Sequence, residues 1–294
     1  MPQWGTFAGL TGVVLALLLA LSYLTQTAFD GDRDDRPVER TEVESSGGPG
    51  TVGEGSSERA PDRTDESDAV GAVDLSHADD RRAGEPDPVS PASLSSGELL
   101  ANVAVSQGLF AALLVGAIVF TGIPAEALGI AFTREYLVAG LLVGTALGLG
   151  LYVANELGSA SAKRLGFDPD ETLRELLAPE SAGGWLVLLL VVLPIIAIFE
   201  ELLFRAALIG ALSAGFDVSP WLLAVGSSIA FGVGHGMQGR VGIVVTGALG
   251  FVLAAAFILT GSLLVVIVAH YLINALEFVV HEGLDLEWAE TTGS

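Results

Sequence analysis

The stretch Trp185–Arg205, WLVLLLVVLPIIAIFEELLFR, runs through fifteen apolar residues before reaching Glu200, Glu201 and Arg205. A run of this kind has the length and composition of a bilayer-spanning helix, which needs about 20 apolar residues. Each charge near the centre of a span costs roughly 2.5–3.5 kcal/mol. Three together cost on the order of 8 kcal/mol, comparable with the whole stability of an ordinary domain. Such residues persist where they are paired and useful. Glu201 and Arg205 stand one turn apart and can pair along one helix face. Glu200 sits about 100° round the helix from Glu201, so one carboxylate can be held while its neighbour points into a cavity.

The rest of the chain is written in the same style. Hydrophobic residues make up 51% of it and charged residues 16%, well below a soluble domain's usual charged share. The acidic residues are concentrated, with nineteen of 35 lying between Asp30 and Glu98. Outside that segment, apolar runs at about Trp4–Phe29, Leu99–Ile123, Tyr136–Leu157, Trp185–Leu212, Pro220–Gly236, Val241–Leu259 and Leu263–Val280 predict an all-α, polytopic transmembrane bundle of about seven spans. The first run has no basic n-region and no small-residue cleavage site before Asp30, so it reads as an uncleaved anchor. Gly140, Gly144 and Gly148 recur at one-turn spacing and invite a neighbouring helix to approach closely. The polar stretch Ser159–Ser181, with Arg174 beside Leu176 and Leu177, reads as a helix at the membrane surface. Ser219–Pro220 reads as an N-cap followed by a first-turn proline.

These readings divide the chain into four parts: an anchor over 1–29, a disordered acidic linker over 30–98, a bundle over 99–283 whose motif core is 185–283, and an acidic tail over 284–294. Loop arginines and Lys163 place the amino terminus outside and the carboxyl terminus inside, leaving only Arg134 in an outside loop. The net charge of −22, with one lysine against twelve arginines, resembles proteins of halophilic archaea. So acidic a chain, with no basic stripe, is not a nucleic-acid binder. The absence of cysteine excludes disulfides, thiolate zinc sites and a cysteine nucleophile. Nothing in the sequence sets the oligomeric state.

Two further spans carry imidazoles. Phe231-Gly-Val-Gly-His235 closes the fifth span, and His270-Tyr-Leu-Ile-Asn274 lies inside the seventh, each an i, i+4 pair on one face. Together with Glu200 they supply a general base, an imidazole that can pass protons, and neutral donors suited to an oxyanion. Glu277 lies two turns beyond His270 near the end of its span, while His281 and Glu282 read as interfacial and His77 as a solvated linker residue. The same buried groups could instead form a proton or cation relay in a small transporter. No repeated half and no matching pair of broken helices accompanies them.

The three motifs Glu200-Glu201-Leu-Leu-Phe-Arg205, Phe231–His235 and His270–Asn274 resemble, in order and spacing, the EExxxR, FxxxH and HxxxN motifs of the CPBP intramembrane proteases. That family includes the type II CAAX prenyl endopeptidases and proteins linked to bacteriocin processing and immunity. The resemblance covers about Trp185–Gly283 and implies an endopeptidase acting near the membrane surface on a peptide or lipidated-protein substrate within membrane lipid. It further implies that Glu200 activates a water, His235 assists proton transfer, Arg205 holds the pair of Glu200 and Glu201, and His270 with Asn274 stabilises the oxyanion. If a metal such as zinc takes part, Glu200, His235 and His270 are its ligands; a metal-free glutamate mechanism fits the same residues. An inactive relative kept as a membrane scaffold would be expected to lack a motif residue, and none is missing.

Overall fold

The computed structural model describes residues 1–34, 95–164, 166 and 172–284. The expected disordered linker falls almost wholly outside the described residues, as does nearly all of the acidic tail. Among the described residues there are helices and turns and no strand. In hydrocarbon every backbone N–H and C=O must find a partner inside the protein, and a helix does this within one segment.

Among the described residues, and apart from two short 3-10 turns, eight helices follow in order: α1 (Trp4–Asp34), α2 (Ser96–Thr121), α3 (Arg134–Arg164), the short α4 (Thr172–Leu177), α5 (Ala182–Phe216), α6 (Pro220–Gly234), α7 (Gly239–Thr260) and α8 (Leu263–Gly283). Six of them are long and apolar enough to cross a membrane. The chain is therefore a polytopic helical membrane protein. The fifth expected span, α6, has 15 residues. At 1.5 Å per residue it reaches only about 22 Å, short of a bilayer core of about 30 Å. Its run breaks at His235, which leaves the helical conformation with φ −100 and ψ 26.

Local signals set the helix ends. Ser95 and Glu98 form a reciprocal capping box that starts α2. Gly261, at φ 63, ends α7 in a left-handed conformation that glycine adopts without strain, and Ser262 then caps α8. Ser219 differs from expectation. Pro220 does begin α6, but the Ser219 hydroxyl makes no capping bond. The polar stretch after the third span is also shared out differently, because α3 continues as far as Arg164 before α4 begins.

The bundle is organised around α5 and α8, whose apolar windows are 50% and 44% buried, against 11–22% for the other spanning helices. These two central helices carry Glu200, Glu201, Arg205, His270 and Asn274. On α3, Gly140, Gly144 and Gly148 meet α8 directly. A Cβ on Gly144 would stand 2.7 Å from the Val265 carbonyl, so the stripe lets the two backbones touch. Within α5 the segments Leu188–Val192 and Leu202–Ala211 are π-helical. The second begins immediately after Glu201, and such wide turns are frequent at functional sites.

Candidate active site

Glu200 and Glu201 close the α-helical segment Leu193–Glu201 of α5 and are 7% and 0% exposed. Arg205 follows in the π segment at 1%. Glu201 Oε1 accepts two bonds, from Arg205 Nη1 at 2.7 Å and from His270 Nδ1 at 2.6 Å. Arg205 Nη2 donates to the Gly250 carbonyl of α7 at 3.0 Å, and its guanidinium lies 4.7 Å from the centroid of the Phe231 ring. Glu201 thus ties α5 to α8, and Arg205 ties α5 to α7. A charge so deeply buried survives only with such partners.

Glu200 faces elsewhere. His235 Nε2 stands 3.8 Å from Glu200 Oε1, and His270 Nε2 stands 3.6 Å from Glu200 Oε2. Both separations exceed a direct hydrogen bond. Each imidazole is oriented by its other nitrogen. His235 Nδ1 lies 2.8 Å from the Phe231 carbonyl, which can only accept, so Nδ1 donates and the ring is turned with Nε2 toward Glu200. His270 Nδ1 donates to Glu201, which aims Nε2 at Glu200 in the same way. Glu200 Oε2, Glu201 Oε2 and Arg205 Nε have no hydrogen-bond partner within the structure.

Phe231 is the hub of the packing. Its ring meets His235 at 4.5 Å, His270 edge-on at 6.0 Å and Phe204 edge-on at 5.0 Å, while Arg205 covers one face. Ser227, one turn earlier on α6, donates to the Phe204 carbonyl at 2.7 Å and fixes α6 against α5. Asn274 is half-buried one turn beyond His270. The motif residues singled out from the sequence therefore lie on α5, α6 and α8, His235 just past the end of α6, with Glu200, Glu201, Arg205, His235 and His270 drawn into one cluster. Gly250 carries no signal in the sequence. Its carbonyl holds Arg205, and a Cβ there would stand 2.9 Å from the Phe231 ring.

Glu277 belongs to a second cluster, away from Glu200. It accepts from Asn155 of α3 and pairs with Arg174 of α4 at 3.4 Å. Arg174 also pairs with Glu282 at 2.8 Å, and His281 lies 2.8 Å from Glu156. Among the described residues, Glu156, Glu277 and His281 are the group whose ligand atoms lie within 4.8 Å of one another and could hold a metal. The donor types of Glu200, His235 and His270 also suit zinc, in a more open arrangement.

A buried acid–imidazole centre inside a polytopic helical bundle is what the fold and the site define. More particularly, residues 182–276 match the family model described as type II CAAX prenyl endopeptidase Rce1-like, which is consistent with a CPBP family protease. All three motifs fall within that segment, which supports a CAAX-type protease at the level of family. No curated protein and no solved structure matches the chain.

Proposed function

We propose that the protein is an intramembrane endopeptidase in which Glu200 activates the hydrolytic water. The observation that carries this reading is the position of the Glu200 carboxylate, buried and faced by the Nε2 atoms of both His235 and His270 at 3.8 and 3.6 Å. A water bonded to Glu200 alongside the imidazoles would be within reach of both Nε2 atoms. Glu200 takes a proton from water as the water oxygen adds to the scissile carbonyl carbon and the carbonyl electron pair moves onto its oxygen. His270 Nε2, aimed by the Nδ1 bond to Glu201, and the Asn274 amide form the site for that oxyanion. The proton then passes, with the help of His235, to the leaving amine nitrogen as the C–N bond breaks. Arg205 holds Glu201 in place and takes no proton.

Zinc, if bound, would be held by Glu200, His235 and His270 and would make the water more acidic. Every role above belongs to the protein's own side chains. The substrate class is a peptide or lipidated-protein segment entering from membrane lipid, with a prenylated CAAX tail as the first candidate. The arginine-bearing loops support an amino terminus outside and a carboxyl terminus inside, and the acid-rich, lysine-poor composition supports work in strong salt.

The test is cleavage of a peptide library, with lipidated members, by the purified full-length protein and by Glu200→Gln, with and without a strong chelator. Cleavage by the natural protein and none by a folded Glu200→Gln is expected. Equal turnover by the two sinks the assignment of the base, and chelator sensitivity would bring the metal into the centre.

A further inference from the structure

We infer that α1, which lies outside the segment matching the family, positions His235 against Glu200, with Ser22 and Gln26 as the positioning residues. The inference rests on the peptidase reading of the Glu200 centre for its catalytic meaning, but its geometry stands separately.

His235 sits where the backbone has the least stiffness of its own. It lies just beyond the end of α6, outside the helical conformation, with glycine on either side at 234 and 236. Glycine neighbours add no side-chain packing and leave the chain free to shift. A helix also ends with carbonyls that have no partner along the helix, which in apolar surroundings must be satisfied from elsewhere. Here the Phe231 carbonyl is taken by the His235 ring, and the Gly232 and Val233 carbonyls by the His235 N–H. The Gly234 carbonyl is taken by α1. Ser22 Oγ donates to it at 2.7 Å, across 212 residues of sequence.

Gln26, one turn further along α1, secures that contact. Its Nε2 donates to Ser22 Oγ at 3.1 Å, and its carboxamide fills the space a Cβ on Gly236 would occupy. The two residues therefore grip the chain immediately before and immediately after His235. Three residues past His235, Thr246 of α7 donates to Gln238 Oε1 at 2.6 Å. His235 is thus held between α1 and α7, and its Nε2 distance to Glu200 follows from that grip. A displacement on the order of 1 Å at a reacting group can cost up to a hundredfold in rate.

The experiment uses the full-length protein in nanodiscs and compares the natural sequence with Ser22→Ala, Gln26→Ala and Ser22→Thr. Two readouts are taken, kcat and KM on a peptide cleaved by the natural protein, and the rate of His235 carbethoxylation by diethyl pyrocarbonate, located by mass spectrometry. For Ser22→Ala we expect kcat to fall by about tenfold with KM unchanged, the size of loss that misplacement of a reacting group produces. His235 modification should change several-fold in the same variant. Gln26→Ala should move both readouts in the same direction, and Ser22→Thr, which keeps the hydroxyl, should restore them. Natural values of both in Ser22→Ala overturn the inference. So does a fall in kcat with unchanged His235 reactivity and no rescue by threonine, which would mean general loss of packing. If the natural protein cleaves nothing, the peptidase reading fails, and the modification rates alone decide whether α1 sets the position of His235.

Discussion

His270 Nδ1 lies 2.6 Å from Glu201 Oε1, the oxygen that also receives Arg205 Nη1 at 2.7 Å. The two adjacent glutamates therefore have different work. Glu201 is consumed by structure, and Glu200 is left facing the imidazoles. Removing the Glu201 charge leaves Arg205 buried without a counter-ion, a loss of about 3–5 kcal/mol. Glu201→Gln is expected to lower the unfolding midpoint sharply in detergent, whereas Glu200→Gln should stay close to the natural protein. Equal midpoints for the two variants would contradict this division.

Phe231 should be among the least replaceable residues of the centre. Phe231→Ala opens a cavity beneath Arg205 and between the imidazoles, at a cost of about 3–5 kcal/mol. Phe231→Leu restores much of the volume but not the ring face under the guanidinium, worth about 0.5–2 kcal/mol. The order of thermal stability is expected to be natural, then leucine, then alanine, and a leucine variant no better than alanine would show that volume is not what the ring supplies.

The glycine stripe of α3 gives a prediction with an internal control. At Gly144 a Cβ would meet the Val265 carbonyl at 2.7 Å and Val268 Cβ at 2.8 Å, and backbone cannot swing aside. Gly144→Ala should destabilise by roughly 1–3 kcal/mol through overpacking. At Gly150 on the same helix nothing lies within 4 Å. Gly150→Ala should be neutral or stabilising by about 0.5–1 kcal/mol, from helix propensity alone. Unfolding curves for the pair check both.

The second cluster is expected to be separable from cleavage. Arg174 of α4 reaches Glu277 and Glu282 on the last turns of α8. Arg174→Ala should loosen α4, read as faster hydrogen exchange over Thr172–Leu177, with cleavage retained. Complete loss of cleavage in a folded Arg174→Ala protein would tie this cluster to the chemistry after all.

Much of the centre is legible in the amino-acid sequence. Charges within Trp185–Arg205 announce themselves against the apolar run that holds them, and the i, i+4 spacing of Glu201 with Arg205 foretells their pairing. The i, i+4 spacing of His235 with Phe231 places both on one face in the same way. Spacing is less informative for Glu277. Its two-turn distance from His270 points to a common face, but Asn155 and Arg174 lie nearer and capture it. The division of labour between Glu200 and Glu201 is also hidden, since two adjacent carboxylates are chemically alike until a neighbouring helix chooses one.

The sequence by itself determined that the chain is a bundle of membrane-spanning helices and which three of them carry the reactive groups, because hydropathy and helical periodicity are local properties. Tertiary structure decided the rest. It alone brought His270 to Glu201, put the Gly250 carbonyl on Arg205, drew Glu277 into a separate cluster and set Ser22 of α1 on the Gly234 carbonyl. Those contacts join residues 45 to 212 positions apart, and only the packing of helices, with its demand that every buried polar group find a partner, selects them.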